Sequence, residues 1–260
     1  MSTYQHIRIA GGDTSQPLCL TKRLKLLSRL CDLSRTRLLD CGCGAGEYVF
    51  ALMEQYGADA WGIEYQGDKV AKANCHARHG HRVSQGDIGQ LPYAEAEFDL
   101  VLLNEVLEHV PDECMALREV FRVLKRGGLL FVFSPNRWFP FETHGCALKR
   151  RNQPVPPSVP FIPWLPRSIA KRWFVFWARN YGQGELTGLI RNAGFEIRGR
   201  DYVWQTFEGI SGQQPSFIRA TRRLLRRVSN LCESLPFVRR FGVSQVVVAS
   251  KPDHSPHAPE

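Results

Sequence analysis

The chain has 260 residues, 43% apolar and 23% charged, which fits one large α/β domain of a soluble globular protein with room for a sizeable core. No apolar run is long enough to cross a membrane, and the opening MSTYQHIRIAGGD lacks the charged and apolar regions of a secretory signal, so neither is expected. The net charge of +9 is uneven: residues 1–148 carry 16 Lys+Arg against 18 Asp+Glu, whereas residues 149–260 carry 18 against 7, so the second half is expected to meet something anionic, whether lipid, a phosphorylated carrier or RNA.

Residues 18–33 space Leu20, Leu24, Leu27, Leu30 and Cys31 as one face of a helix. A short strand, RLLD, ends at Asp40, and a glycine-rich turn leads into a helix closed by Gly57. Ala60–Glu64 reads as a second strand, Gly67–His79 as a helix, Arg82–Ser84 as a third strand and Phe98–Leu103 as a fourth. Pro111–Leu124 reads as a helix, Lys125–Gly128 (KRGG) as a turn, and Leu129–Phe133 as a fifth strand. Asn152–Pro166 holds six prolines and can be neither a long helix nor a central strand. Ser168–Tyr181 and Glu185–Ala193 resume as helices, and Phe195–Trp204 and Ser244–Ser250 are the last two strands. The tail PDHSPHAPE reads as disordered. Alternating strands and helices predict an α/β fold with a doubly wound, mostly parallel, seven-stranded sheet.

The eight cysteines are scattered without a CxxC pair, which points to reduced thiols in a cytoplasmic protein. His76, His79 and His81 lie close together, but no nearby cysteine or paired carboxylate completes a site, so solvated histidines and no metal are expected.

The most informative stretch is Leu38–Tyr48, LLDCGCGAGEY, which puts Gly42, Gly44 and Gly46 between a strand and a helix. Glycine is required where backbone turns sharply against a ligand. Ligands of open α/β sheets bind beyond the carboxyl ends of the strands, where this turn falls. A dinucleotide fingerprint would need G-x-G-x-x-G, and the third position after Gly44 is Glu47. Asp40 and Glu47 would also repel a pyrophosphate. A cationic ligand without phosphate tolerates both.

Asp40-Cys-Gly-Cys-Gly-Ala-Gly46 resembles motif I, D-x-G-x-G-x-G, of the class I S-adenosylmethionine (SAM)-dependent methyltransferases. Further elements follow in order: Glu64 ending the second strand, Asp87-Ile88 after the third, Asn104-Glu105-Val-Leu-Glu-His109 after the fourth, and LREVFRVLKRGGLLFV across the fifth. The resemblance covers about residues 36–135 and is closest to the type 11, ubiquinone-biosynthesis-like small-molecule enzymes. It implies a Rossmann-like methyltransferase fold with SAM as cofactor. Glu64 is implied to hold the ribose hydroxyls, which a carboxylate can accept from in pairs, and Asp87-Ile88 to contact the adenine. Implied cofactor contacts are Asp40, Gly42, Cys43, Gly44, Gly46, Tyr48, Glu64, Tyr65, Asp87, Ile88, Asn104, Glu105 and His109. The [DN]-P-P-[FY] element of adenine-N6 enzymes is missing, since Asn104-Glu105-Val106-Leu107 stands in its place.

The loop SPNRWFPFETHG (Ser134–Gly145) should cover the acceptor side. Methyl transfer depends mainly on alignment, with a base where the acceptor must lose a proton. His144 is the candidate base and Glu142 its orienter or the second choice; the alternative is that both only anchor the loop. Residues 149–181 contain seven Lys/Arg, no Asp or Glu, and the aromatic runs FIPWLP and RWFVFW, read as a lid over an apolar pocket. Phe217, Thr221, Leu224, Leu225, Val228, Leu231 and Leu235 follow a helical rhythm, opposed by Arg219, Arg222, Arg223, Arg226 and Arg227. Such a basic amphipathic helix (Phe217–Leu235) can dock on an anionic membrane surface, contact RNA phosphates, or pack its apolar stripe on the domain.

The sequence thus predicts an N-terminal helical segment (1–36), a SAM-binding core (37–135), acceptor-side helical insertions with the last two strands of the same sheet (136–250) and a tail (251–260). The expected activity is methylation, at oxygen first, of a small-molecule or lipid-linked acceptor by a cytoplasmic, peripherally membrane-associated protein. An RNA methyltransferase and a non-catalytic SAM-binding regulator are the competing readings.

Overall fold

The computed structural model describes residues 18–75, 80–204 and 216–253. Its strands are β1 (Arg37–Cys41), β2 (Asp59–Glu64), β3 (Val83–Gln85), β4 (Phe98–Asn104), β5 (Leu124–Pro135), β6 (Cys146–Leu148), β7 (Gln153–Pro154), β8 (Phe174–Phe176), β9 (Glu196–Val203) and β10 (Ser244–Ser250). Its helices are α1 (Leu18–Leu30), α2 (Glu47–Tyr56), α3 (Gly67–Asn74), α4 (Glu113–Val123), α5 (Arg167–Trp173), α6 (Gln183–Asn192) and α7 (Ser216–Ser234).

Seven strands form one sheet in the order β3-β2-β1-β4-β5-β10-β9. Strands β1 to β5 pair in parallel, and β10 runs antiparallel to both its neighbours. The expected doubly wound, mostly parallel, seven-stranded sheet is therefore present. Alternate residues face opposite sides, so each strand feeds two cores. Leu39, Val101, Leu103 and Val132 join α4 and α6 on one face. Leu38, Leu100, Leu102, Phe131 and Phe133 join α1 and α2 on the other. Leu102 is wholly buried in a central strand. Leu102→Ala is expected to cost about 2–5 kcal/mol in urea unfolding. A loss under about 1 kcal/mol would contradict this core.

Two local expectations are corrected. Lys125–Gly128 is a bulge within β5 rather than a turn before it: the β4–β5 register shifts between Phe98 and Leu100, and Gly127 takes φ +72°. The helix expected over Ser168–Tyr181 stops at Trp173, because Phe174–Phe176 pair with Cys146–Leu148 instead. Aromatic and β-branched residues suit a strand, and a partner strand was available. With β7 they build a second, three-stranded sheet, β7-β6-β8, which the sequence reading missed. The amide of Arg179 donates to the carbonyl of Glu108, tying this insertion to the loop after β4.

Candidate active site

The glycine turn sits at the carboxyl end of β1. Gly42 has φ +71°, and a Cβ there would lie 2.5 Å from Val106 Cγ2, so only glycine fits. Gly42 and Cys43 both donate to the carbonyl of Ile63, which holds the turn against β2. A Cβ on Gly44 would meet only Glu47 Oε2, at 3.8 Å, so this side of the turn is open to a ligand. Glu64 is buried, and its carboxylate accepts from the amides of Gly44 at 2.9 Å and Gln66 at 3.0 Å.

Asp40 is 1% exposed, and its Oδ1 has no hydrogen-bond partner. Burial, then the charges of Glu47 and Glu64, push its carboxyl well above the usual range. An uncompensated acid beside an open glycine turn fits a cationic group and disfavours a phosphate. The residues present therefore suit SAM, whose sulfonium and ammonium carry positive charge.

The linkage has a definite sign. With its pKa raised, the ligand-free protein is stabilised by keeping Asp40 protonated, and loses that contribution as pH rises through the elevated value. A cation bound beside it favours the carboxylate. SAM binding is thus expected to release a proton, and affinity to rise with pH until Asp40 ionises unaided. Calorimetry in two buffers of different ionisation enthalpy measures the proton, and Asp40→Asn should abolish the release. Equal proton counts for the wild type and Asp40→Asn would refute the assignment.

The other implied cofactor residues divide. Asp87 is exposed after β3 and accepts from the Gly89 amide at 2.8 Å, while Ile88 is 9% exposed. Tyr65 is 58% exposed at the end of β2. The Cys43 Sγ lies where a Cβ on Gly62 would be 2.5 Å away, so the thiol packs inward and the backbone of Cys43 faces the turn. Tyr48 is half-buried against the α1–α2 core cluster. His81 is exposed, while His76 and His79 lie outside the described residues.

A second cluster lies beyond β4 and β5. Asn104, Glu105, Glu108 and His109 come from the end of β4 and the 3-10 turn after it, and His144 from the loop after β5. His144 Nε2 lies 3.5 Å from Glu108 Oε1 and 3.9 Å from Glu105 Oε2, and its ring is 5.1 Å from that of His109. Glu142 plays another part than orienting this ring. It is buried and accepts from the His144 amide at 3.0 Å and from Asn180 Nδ2 at 2.7 Å, anchoring the loop. Two residues given no role from sequence stand here instead. Glu108 is 2% exposed, and Arg23, from α1, bonds Asn104, Glu105 and Ser244. Glu108 sits inside the quoted N-x-V-L-E-H run, so its signal was present. Nothing local marks Arg23 among the other basic residues of its helix.

Burial opposes ionisation of Glu105, but Arg23, His144 and Ser244 outweigh it and hold its pKa below the ordinary value. Burial and then Glu105 push Glu108 well above it. Neighbouring acids thus settle into one carboxylate and one proton. Burial, then His144, lowers the pKa of His109. Glu108, His109 and His144 also offer ligand atoms all within 4.8 Å of one another, a set that could hold a divalent ion.

A mostly parallel seven-stranded sheet with β10 antiparallel beside β5, and a glycine turn at the carboxyl end of β1, is the fold of the class I SAM-dependent methyltransferases. A family model for the methyltransferase domain matches residues 32–194, and the chain belongs to that family as a SAM-dependent enzyme. It is 28% identical over 186 residues to the demethylmenaquinone methyltransferase of Lactococcus lactis, spanning 66% of this chain and 71% of that protein. It is 34% identical over 119 residues to the ubiquinone biosynthesis O-methyltransferase of Methylococcus capsulatus, spanning 44% of this chain and 50% of that one. A SAM-dependent methyltransferase structure from Mesorhizobium loti superposes with TM-score 0.57 at 17% identity, over 88% of this chain and 96% of that one, which speaks to the fold.

Proposed function

We propose that the protein methylates an ionisable hydroxyl on a lipophilic small molecule, a phenol or enol of the quinone-precursor kind. The observation that carries this is the His144 ring set 3.5 Å from the buried acid Glu108. A hydroxyl acceptor must lose a proton as its oxygen takes the methyl group, and a positioned imidazole accepts it. Glu105, held ionised by Arg23, stabilises the imidazolium that results. SAM, when bound, supplies the methyl group as an electrophile. Acceptor names among the relatives support a quinone-like ring.

The test incubates the protein with labelled SAM and, separately, lipid extract, synthetic hydroxyquinone precursors and total RNA. Label in an O-methyl ether of a lipid or quinone is expected. Label in RNA would favour the RNA-methyltransferase reading, and SAM binding with no labelled product in any pool would favour a regulatory role. A second reading, an ion held by Glu108, His109 and His144 that acidifies the hydroxyl, rests on their ligand geometry. Chelation by EDTA then abolishes turnover and added divalent metal restores it; with His144 as base, EDTA leaves turnover intact.

A further inference from the structure

The aromatic insertion and α7 both leave large apolar side chains exposed among the described residues. Trp138, Phe161, Trp164 and Phe241 are 50%, 52%, 37% and 38% exposed. Trp164 joins them, with ring centroids 6.3 Å from Trp138, 4.7 Å from Phe161 and 6.0 Å from Phe241. Asn136 locks the two segments together, donating to the carbonyls of Arg240 and Gly242 at 2.7 and 2.8 Å.

Phe241 ends the turn that follows α7, where the Arg239 amide bonds the Leu235 carbonyl at 2.9 Å. From there the apolar surface runs on through Phe237, 77% exposed, to Leu235, Leu231, Val228 and Leu224, all at least 43% exposed. Leu224, Val228 and Leu231 share one face of α7, and Leu235 follows its end. The helix meets α1 elsewhere, through Lys22 with Asn230 and Glu233. Side chains of Phe217, Thr221 and Arg219, Arg222, Arg223 and Arg226 lie outside the described residues.

Monomeric proteins rarely leave so long an apolar ridge in water. It lies at the carboxyl end of the sheet: Trp138 follows β5, and Phe241 precedes Ser244, which pairs with Pro135. That is the end holding Glu108 and His144. Basic side chains sit on the ridge itself: Arg227 of α7 is exposed, and Arg240 stacks over Phe237. Among the described residues, the acids next to this segment are paired, Asp201 with Arg239 and Glu233 with Lys22.

We propose that this ridge seats the enzyme on an anionic bilayer, with Trp138, Phe161, Trp164, Phe237, Phe241 and the α7 stripe at headgroup depth. Aromatic side chains suit that depth, and the surrounding cations attract anionic headgroups. The site then opens toward the lipid phase. The purpose rests on the lipophilic acceptor proposed above, but the docking is measured without any acceptor, so the two can fail separately.

The experiment is co-sedimentation of the full chain with phosphatidylcholine vesicles and with vesicles containing phosphatidylglycerol. Binding is expected to the anionic vesicles, weakened by salt. Leu224→Ser/Leu231→Ser and, separately, Trp164→Ser/Phe237→Ser are each expected to lower that partition about tenfold or more. SAM affinity should be unchanged in both, which controls for folding. No binding to either vesicle, equal binding to both, or binding unaffected in folded variants overturns the proposal. So does a self-associated protein whose dimers, in sedimentation equilibrium, are dissolved by the same substitutions, because the ridge then belongs to a second copy.

Discussion

His144→Ala is expected to lower turnover about 100- to 10,000-fold while leaving SAM affinity within about twofold of wild type. The split follows from position. His144 comes from the loop after β5 and touches the acids beyond β4, whereas the glycine turn and Glu64 belong to β1 and β2. Its backbone is held independently, since the amide bonds Glu142 and that carboxylate also binds Asn180. Removing the imidazole should therefore leave the loop in place. Single-turnover kinetics with labelled SAM separate chemistry from binding. Glu142→Gln is expected to act differently, raising KM more than it lowers kcat, since it would loosen the loop without removing the base. Turnover of His144→Ala within about tenfold of wild type would remove His144 from the chemistry.

Arg23→Ala should destabilise the protein by roughly 3–5 kcal/mol, because it strands a largely buried carboxylate. Arg23 is 6% exposed, bonds Asn104, Glu105 and Ser244, and lies 4.8 Å above the Phe133 ring. Such a loss is a large share of the 5–15 kcal/mol typical of a folded domain. The pH dependence has a sign. Glu105 has a lowered pKa, so the pair's contribution is present above the ordinary glutamate value and disappears as pH falls through the lowered one. The deficit of Arg23→Ala should thus be full at neutral pH and shrink in acid. Adding Glu105→Gln should restore part of it, since no charge is then left unpaired. Urea unfolding of the two singles and the double at neutral and acid pH measures all of this. A deficit below about 1 kcal/mol, or one independent of pH, would show the pair to be solvated.

Both experiments address residues that meet only after folding, and the contrast with the glycine turn is instructive. Asp40, Gly42 and Gly44 lie within a few residues of one another, and their requirement is local: a strand end, a positive φ and an acid near an open turn. The near-continuous burial along β1, β4 and β5 is local too, because a strand apolar on both faces declares a covered sheet in its own composition. These features made the fold, the strand carrying Glu64 and the cofactor class legible without coordinates.

Longer-range features were not legible in this way. Residues 174–176 have the composition of either element, and pairing with Cys146–Leu148 made them a strand. The exposure of Leu224, Val228 and Leu231 could not be read from their spacing, because periodicity identifies an apolar stripe but not what covers it. The acceptor cluster depends most on tertiary structure. His144 and Glu142 are two residues apart in a loop rich in aromatics, yet Glu142 turns to Asn180, and Glu108 approaches the histidine ring from the next strand end. Arg23 reaches Glu105 across 82 positions of chain. The sheet and the cation-accepting turn follow from local sequence, since propensity, glycine geometry and two-faced apolar strands act over a few residues. Which acid faces the histidine, and which arginine holds the second acid ionised, follows from the fold alone, since charge pairing in a buried site depends on distances that the crossovers set.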